Sequence, residues 1–216
     1  GGDIDSVGWI KAFYNVVENP TLVAAKMFDL DTKDINIIAE EGASYWPAWL
    51  FQKELKLWMK ETQFGKLLND IVFNWPKYGT IVLKKANNQV LLVPLANLIV
   101  DPTIDFLSTP LLEKHSYPYS EFKKQSWYCP ICEGAYRKAG KDLIEVYEIW
   151  GEVDEDTDNY HIVTGIDIGK EFILYQTTFS EILYKELHWE KILGRWMGRG
   201  QVEKLFEAQI AKNETE

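Results

Sequence analysis

Gly79-Thr80-Ile81-Val82-Leu83-Lys84-Lys85, then Ala86-Asn87-Asn88, then Gln89-Val90-Leu91-Leu92-Val93-Pro94-Leu95, is the stretch on which the fold turns. Two apolar runs flank a short Asn-containing connection, the pattern of a β-hairpin. Upstream the period is different. Leu50, Phe51, Leu55, Trp58, Met59, Leu67, Leu68, Ile71 and Val72 recur at spacings of three and four, the stripe of an amphipathic helix. Ser44 is placed to cap that helix, and Pro47 falls near its first turn, where a missing N–H costs nothing. The spacing predicts helix to about Phe73, broken at Gly65 and stopped by Trp75-Pro76. Earlier still, Trp9 to Val17 reads as a short helix that Asn19-Pro20 should end.

Downstream of the hairpin the short runs continue. Asn97 to Val100 is a brief apolar run closed by Asp101-Pro102. Leu111 to Tyr117 reads as a strand ended by Pro118, and Ser120 as the cap of a brief helix to Gln125. Asp142 to Glu152, Tyr160 to Asp167 and Glu171 to Phe179 read as three more strands, with turns at Asp154 to Asp158 and Gly169-Lys170. Strand and helix do not alternate as a parallel sheet requires. The expectation is an α+β fold: an N-terminal helical part, a mainly antiparallel β meander and a C-terminal helix. That last helix runs from Gln201 to Asn213 and carries Val202, Leu205, Phe206, Gln209, Ile210 and Asn213 on one face. The expected organisation is an unassigned segment 1–44, an α+β domain 45–190 and a helical segment 191–216. The final helix meets Glu216 with no Gly or Pro stop signal, as a truncated helix would.

Acidic residues outnumber basic ones 33 to 23, a net charge of −10. A protein that grips DNA through its phosphates needs a basic patch, and the chain as a whole lacks that balance. Val90 to Val100, its best apolar run, contains Pro94 and falls well short of the roughly 20 residues of a membrane helix. Gly1-Gly2-Asp3-Ile4-Asp5 has neither the basic nor the apolar region of a signal peptide. Two cysteines argue for a reducing compartment and against a disulfide scaffold.

Cys129-Pro130-Ile131-Cys132 is the one obvious chemical motif. Redox use needs an attacking thiolate and a resolving thiol, and zinc needs two further ligands. His115, His161 and His188 stand singly and no second Cys pair exists, so the pair reads as structural, with Cys129 and Cys132 a weak metal candidate. Asp154, Glu155, Asp156 and Asp158 lack the Gly and distal Glu of a calcium loop and read as a solvated turn. Gly194, Gly198 and Gly200 are not followed by the Lys-Ser/Thr of a phosphate loop. No catalytic residue and no cofactor are expected. Trp46, Trp49, Trp58, Trp75, Trp127, Trp150, Trp189 and Trp196 suit either a stacking face or a core, and their phases favour burial. Gln209 and Asn213 interrupt the apolar face of the last helix at spacing four, as a polar layer between neighbouring helices does.

Four segments, read in order, then take on a joint meaning. The first joins Leu57-Trp58-Met59-Lys60, Phe64-Gly65-Lys66-Leu67-Leu68-Asn69-Asp70 and Tyr78-Gly79-Thr80-Ile81-Val82-Leu83-Lys84. The second is Val93-Pro94-Leu95-Ala96-Asn97-Leu98-Ile99-Val100-Asp101-Pro102. The third is Leu112-Glu113-Lys114-His115-Ser116-Tyr117 with the short helix from Ser120, and Val146-Tyr147-Glu148-Ile149-Trp150-Gly151 after it. The fourth is Gly198-Arg199-Gly200-Gln201-Val202-Glu203-Lys204-Leu205, followed by Gln209 and Asn213. Their order and spacing resemble the portal proteins of tailed bacteriophages, ring-shaped connectors through which DNA is packaged and ejected. The resemblance covers residue 45 to the end and excludes the Cys pair.

The resemblance implies a wing segment that ends at the start of the channel-lining stem helix. It implies a structural, non-enzymatic role in a dodecameric ring of identical subunits, assembled in the host cytoplasm and carried in the virion. Capsid or scaffold protein, terminase and a head–tail adaptor are the implied partners, with transient passage of double-stranded DNA, no membrane, and packaging energy from a separate ATPase. Arg199, Glu203, Gln209 and Asn213 become candidate subunit or channel contacts, and Gly198 and Gly200 a hinge into the stem helix. The competing expectations are a Trp-rich module that binds carbohydrate or single-stranded nucleic acid and an enzyme, either a CxxC oxidoreductase or a carboxylate-pair hydrolase.

Overall fold

In a computed structural model the described residues are 17–28, 31–86, 88–101, 106, 110–153, 156–166, 170–178, 181 and 183–214. Helices come first: α1 (Glu18–Met27), α2 (Tyr45–Glu61) and α3 (Phe64–Tyr78). Asn19-Pro20 begins a helix where the sequence suggested an end, because both fall in the first turn of α1, where a proline has no helical hydrogen bond to lose. Most of the short helix expected at Trp9 to Val17 lies outside the described residues. The long helical stripe folds as two helices. They part at Gln63, which takes a left-handed conformation with φ of 54°, and not at Gly65.

Pro76 does not stop the chain either. It sits buried inside α3, which continues to Tyr78 and ends at Gly79. Gly79 has φ of 80°, open to glycine and costly for other residues, and its N–H reaches the Trp75 carbonyl at 2.9 Å. Proline forfeits one backbone bond here, in the last turn, while its ring joins the buried face.

The strands are β1 (Thr80–Ala86), β2 (Gln89–Val93), β3 (Leu98–Ile99), β4 (Leu111–Pro118), β5 (Leu143–Val153), β6 (Asp156–Ile166), β7 (Lys170–Thr178) and β8 (Tyr184–His188). They form two sheets, in the orders β2-β1-β8 and β3-β4-β5-β6-β7. The second is the expected meander, antiparallel at every step. β6 starts at Asp156, so Asp156 and Asp158 belong to a strand and not to the expected turn; Asp154 and Glu155 lie outside the described residues. Two short helices precede β5: α4 (Tyr119–Phe122), which has Pro118 and not Ser120 at its N-cap and ends short of the expected Gln125, and α5 (Pro130–Lys138), which periodicity did not reveal. The C-terminal helix comes as α6 (Gln201–Lys204) and α7 (Phe206–Glu214), interrupted at Leu205. The fold is therefore α+β, with helices ahead of an antiparallel meander and a helical C-terminal part.

The elements gather into two compact units. One contains the described residues up to Leu92 with Lys185–Leu193 and the segment from Met197 onward; the other contains Val93–Tyr184 and Gly194–Trp196. This division departs from cuts at 44 and 190, because most of β8 and the last helices pack with the N-terminal elements. In the first unit α3 is central and touches α1, α2, β1 and α6. Leu68, Ile71, Val72, Ile81 and Val82 are buried there. In the second unit, α4 and α5 cover one face of the meander around Phe122, Cys132, Tyr136, Ile144, Val146 and Ile162. The Tyr136 hydroxyl ties α5 to the sheet through the Glu145 carbonyl at 2.9 Å and the Thr164 hydroxyl at 2.6 Å.

Candidate functional site

The glycines ahead of the last helices are built for close approach. A Cβ on Gly198 would stand 2.5 Å from the Gly79 carbonyl oxygen and 2.8 Å from that of Glu190. One on Gly200 would stand 2.5 Å from the Lys77 carbonyl oxygen and 2.6 Å from the Tyr78 carbonyl carbon. Gly200 has φ of −106°, and neither it nor Gly198 lies in the left-handed region. Their contribution is the missing side chain, which lets two backbones touch. The Gly198 N–H donates to the Thr80 hydroxyl at 2.6 Å, and the Trp189 N–H to the Gly79 carbonyl at 2.9 Å.

Next to this clasp the Arg199 guanidinium pairs with Glu190, and Lys204 Nζ reaches the other oxygen of the same carboxylate at 2.5 Å. The Arg199 hydrogen bond, followed by that of Lys204, pulls the Glu190 carboxyl down to about 2. Glu203 is exposed on α6. Gln209 is half-buried and lines a cavity of about 530 Å³ with Phe73, Lys77 and Val202. Asn213 lies on α7, its side chain outside the described residues. Arg199 and Gln209 thus contact groups of their own unit.

Cys129 stands at the N-cap position of α5 without a side-chain capping bond, and Cys132 is fully buried in the sheet-facing core; both are free thiols. Burial pushes the Cys132 thiol up to about 11. Among the described residues no third ligand joins the pair.

Among the tryptophans Trp150 is buried, and Trp75 and Trp189 close an aromatic triad with Phe28 at centroid distances of 5.1–5.7 Å. Trp46 and Trp49 are exposed on α2, beside Tyr45, Leu50, Phe51 and Leu57. Trp46 and Trp49 meet edge to face at 5.9 Å.

The densest chemistry lies on the meander and was not visible in the sequence. β4 and β5 pair so that Glu113 stands directly opposite Glu148, which puts both carboxylates on one face of the sheet. His115, two residues along β4, shares that face. Its Nε2 lies 3.1 Å from Glu148 Oε1 and 3.6 Å from Glu113 Oε1. The Tyr184 hydroxyl donates to Glu113 Oε2 at 2.5 Å, and Trp150 Nε1 donates to Glu148 Oε2 at 3.5 Å. Burial works against a charge on His115, yet the two carboxylates prevail and raise it to about 9. Burial, reinforced by Glu148, drives the Tyr160 and Tyr184 phenols far above their usual range. Like charges directly opposite in a sheet repel, so this arrangement requires a positive group between them. The one sequence signal was Leu111, Glu113, His115 and Tyr117 at every second position, an acid and a histidine on the phase of a buried face.

No family model matches the chain, and no curated protein matches it significantly.

Proposed function

We propose that the protein is a structural, non-enzymatic ring subunit of the portal type, with identical subunits as its first partners and DNA passing through transiently. The order of the four portal-like segments supports this reading, and one observation carries it: the exposed apolar residues of α2. Tyr45, Trp46, Trp49, Leu50, Phe51 and Leu57 are all exposed, Trp46 at 68%. An apolar surface of this kind on a protein otherwise rich in charge favours burial against another protein. A net charge of −10 suits a channel wall that must let phosphates slide past. Capsid or scaffold protein, terminase and adaptor are the further partners of such a ring, in the virion.

Native mass spectrometry with negative-stain imaging of the full-length protein tests the proposal. The expected result is closed rings of one size, lost in a Trp46→Asp, Leu50→Asp double variant whose circular dichroism is unchanged. A full-length protein that stays monomeric overturns it. The edge-to-face pair of Trp46 and Trp49, with Lys53 Nζ 5.4 Å from the Trp49 ring centre, favours a second reading: a stacking surface for carbohydrate or single-stranded nucleic acid. Quenching of tryptophan fluorescence by such ligands, absent in Trp46→Ala, would select it.

A further inference from the structure

We propose that Glu113, His115 and Glu148 form a binding site for one divalent first-row metal ion of the zinc class, held by two carboxylate oxygens and His115 Nε2. The inference is independent of the ring reading and rests on four features of the meander.

The ligand atoms converge. One donor atom from each residue lies within 4.8 Å of the other two. Zinc bonds to nitrogen and oxygen are about 2.0–2.2 Å, which sets neighbouring ligand atoms roughly 3.0–3.5 Å apart in tetrahedral or octahedral arrangements. The spacings from Nε2, 3.1 and 3.6 Å, lie within and just beyond that edge length.

His115 Nε2 is also buried and, with no hydrogen bond of good geometry, lies at ion-pair range of two carboxylate oxygens; an ion shared with them would take the place of the imidazole proton.

The carboxylates are oriented from behind. Tyr184 holds Oε2 of Glu113, and Trp150 holds Oε2 of Glu148; both glutamates therefore present Oε1 to the imidazole. Hydrogen bonds on the outer oxygen are how proteins aim a metal-binding carboxylate.

The donor set selects the ion. One imidazole with two carboxylates suits zinc, manganese or iron(II) better than a thiolate-seeking metal, and three protein ligands leave at least one position for water. Glu113 is buried, while the side chains of Glu148 and His115 keep 14% and 23% of their exposure, so an ion can enter from that side.

The experiment uses chelator-treated protein titrated with zinc chloride by calorimetry, with thermal unfolding and cobalt(II) absorption alongside. One equivalent should bind, the unfolding midpoint should rise by several degrees, and His115→Gln and Glu148→Gln should each weaken binding at least tenfold. His115→Gln and Glu148→Gln change partly exposed groups, and circular dichroism verifies their folding. Cys129→Ser should bind like the parent, and cobalt(II) should show nitrogen and oxygen ligation without a thiolate charge-transfer band. No heat and no midpoint shift would overturn the site, as would unchanged affinity in both glutamine variants. A thiolate band lost in Cys129→Ser would overturn it in favour of the cysteine pair. Ring assembly has no bearing on any of these readouts.

Discussion

Gly79, Gly198 and Gly200 meet where the end of α3 crosses the start of the last helices, and each is there for a space that no side chain can share. Gly79 also needs its positive φ, whereas Gly200 has ordinary extended geometry. Gly200→Ala therefore isolates the steric effect. Forcing a methyl against backbone atoms 2.5–2.6 Å away should destabilise the protein by about 1–3 kcal/mol. Gly134 supplies the contrast, because a Cβ there meets nothing within 4 Å inside α5. Gly134→Ala should stabilise by about 0.5–1 kcal/mol, the usual helix-interior gain over glycine. Urea unfolding of both variants checks the pair; equal midpoints would refute the clasp. In the sequence, Gly198 and Gly200 promised backbone freedom. Their partner, Gly79, is more than a hundred positions away, and only folding shows that contact to be their role.

At the scale of elements, the start of the C-terminal helices is pinned by charge as well as by contact. Glu190 accepts from Arg199 and Lys204 together, and this lowers its carboxyl from the usual 4.5 to about 2. A carboxyl lowered by folding stabilises the native state above its unfolded value and loses that contribution as pH falls through the folded one. Wild type should therefore unfold at a higher temperature than Glu190→Gln above pH 4.5, and the gap should close toward pH 2. A gap independent of pH would sink this account. Helix ends were the least legible elements: Pro20 and Pro76 were read as stops, yet one lies in a first turn and the other in a last turn. In the first turn Pro20 has no helical hydrogen bond to lose, whereas Pro76 gives up one that its burial in the core offsets. Strands were more legible, since their alternation survives wherever one face is buried; β4, β5 and β7 lie within a residue of their expected bounds.

For the molecule as a whole, charge and apolar surface pull in opposite directions. A net charge of −10 repels like copies, while in the proposed ring the exposed apolar residues of α2 would draw them together. Salt screens the first, with a Debye length near 10 Å at about 0.1 M, and leaves the second. Self-association measured by sedimentation velocity should therefore strengthen as salt rises from low to moderate concentration. Weakening under salt would assign the contact to opposite charges and remove α2 as its cause.

The sequence by itself determined the α+β class, the meander and the helical ends, because each depends on periodicity among neighbours in the chain. The tertiary structure alone decided that Glu113 faces Glu148 across β4 and β5, that Tyr184 and Trp150 steady those carboxylates, and that three distant glycines share one contact. Strand register and backbone crossing join residues far apart in the chain, and no local pattern encodes which partner a side chain will meet.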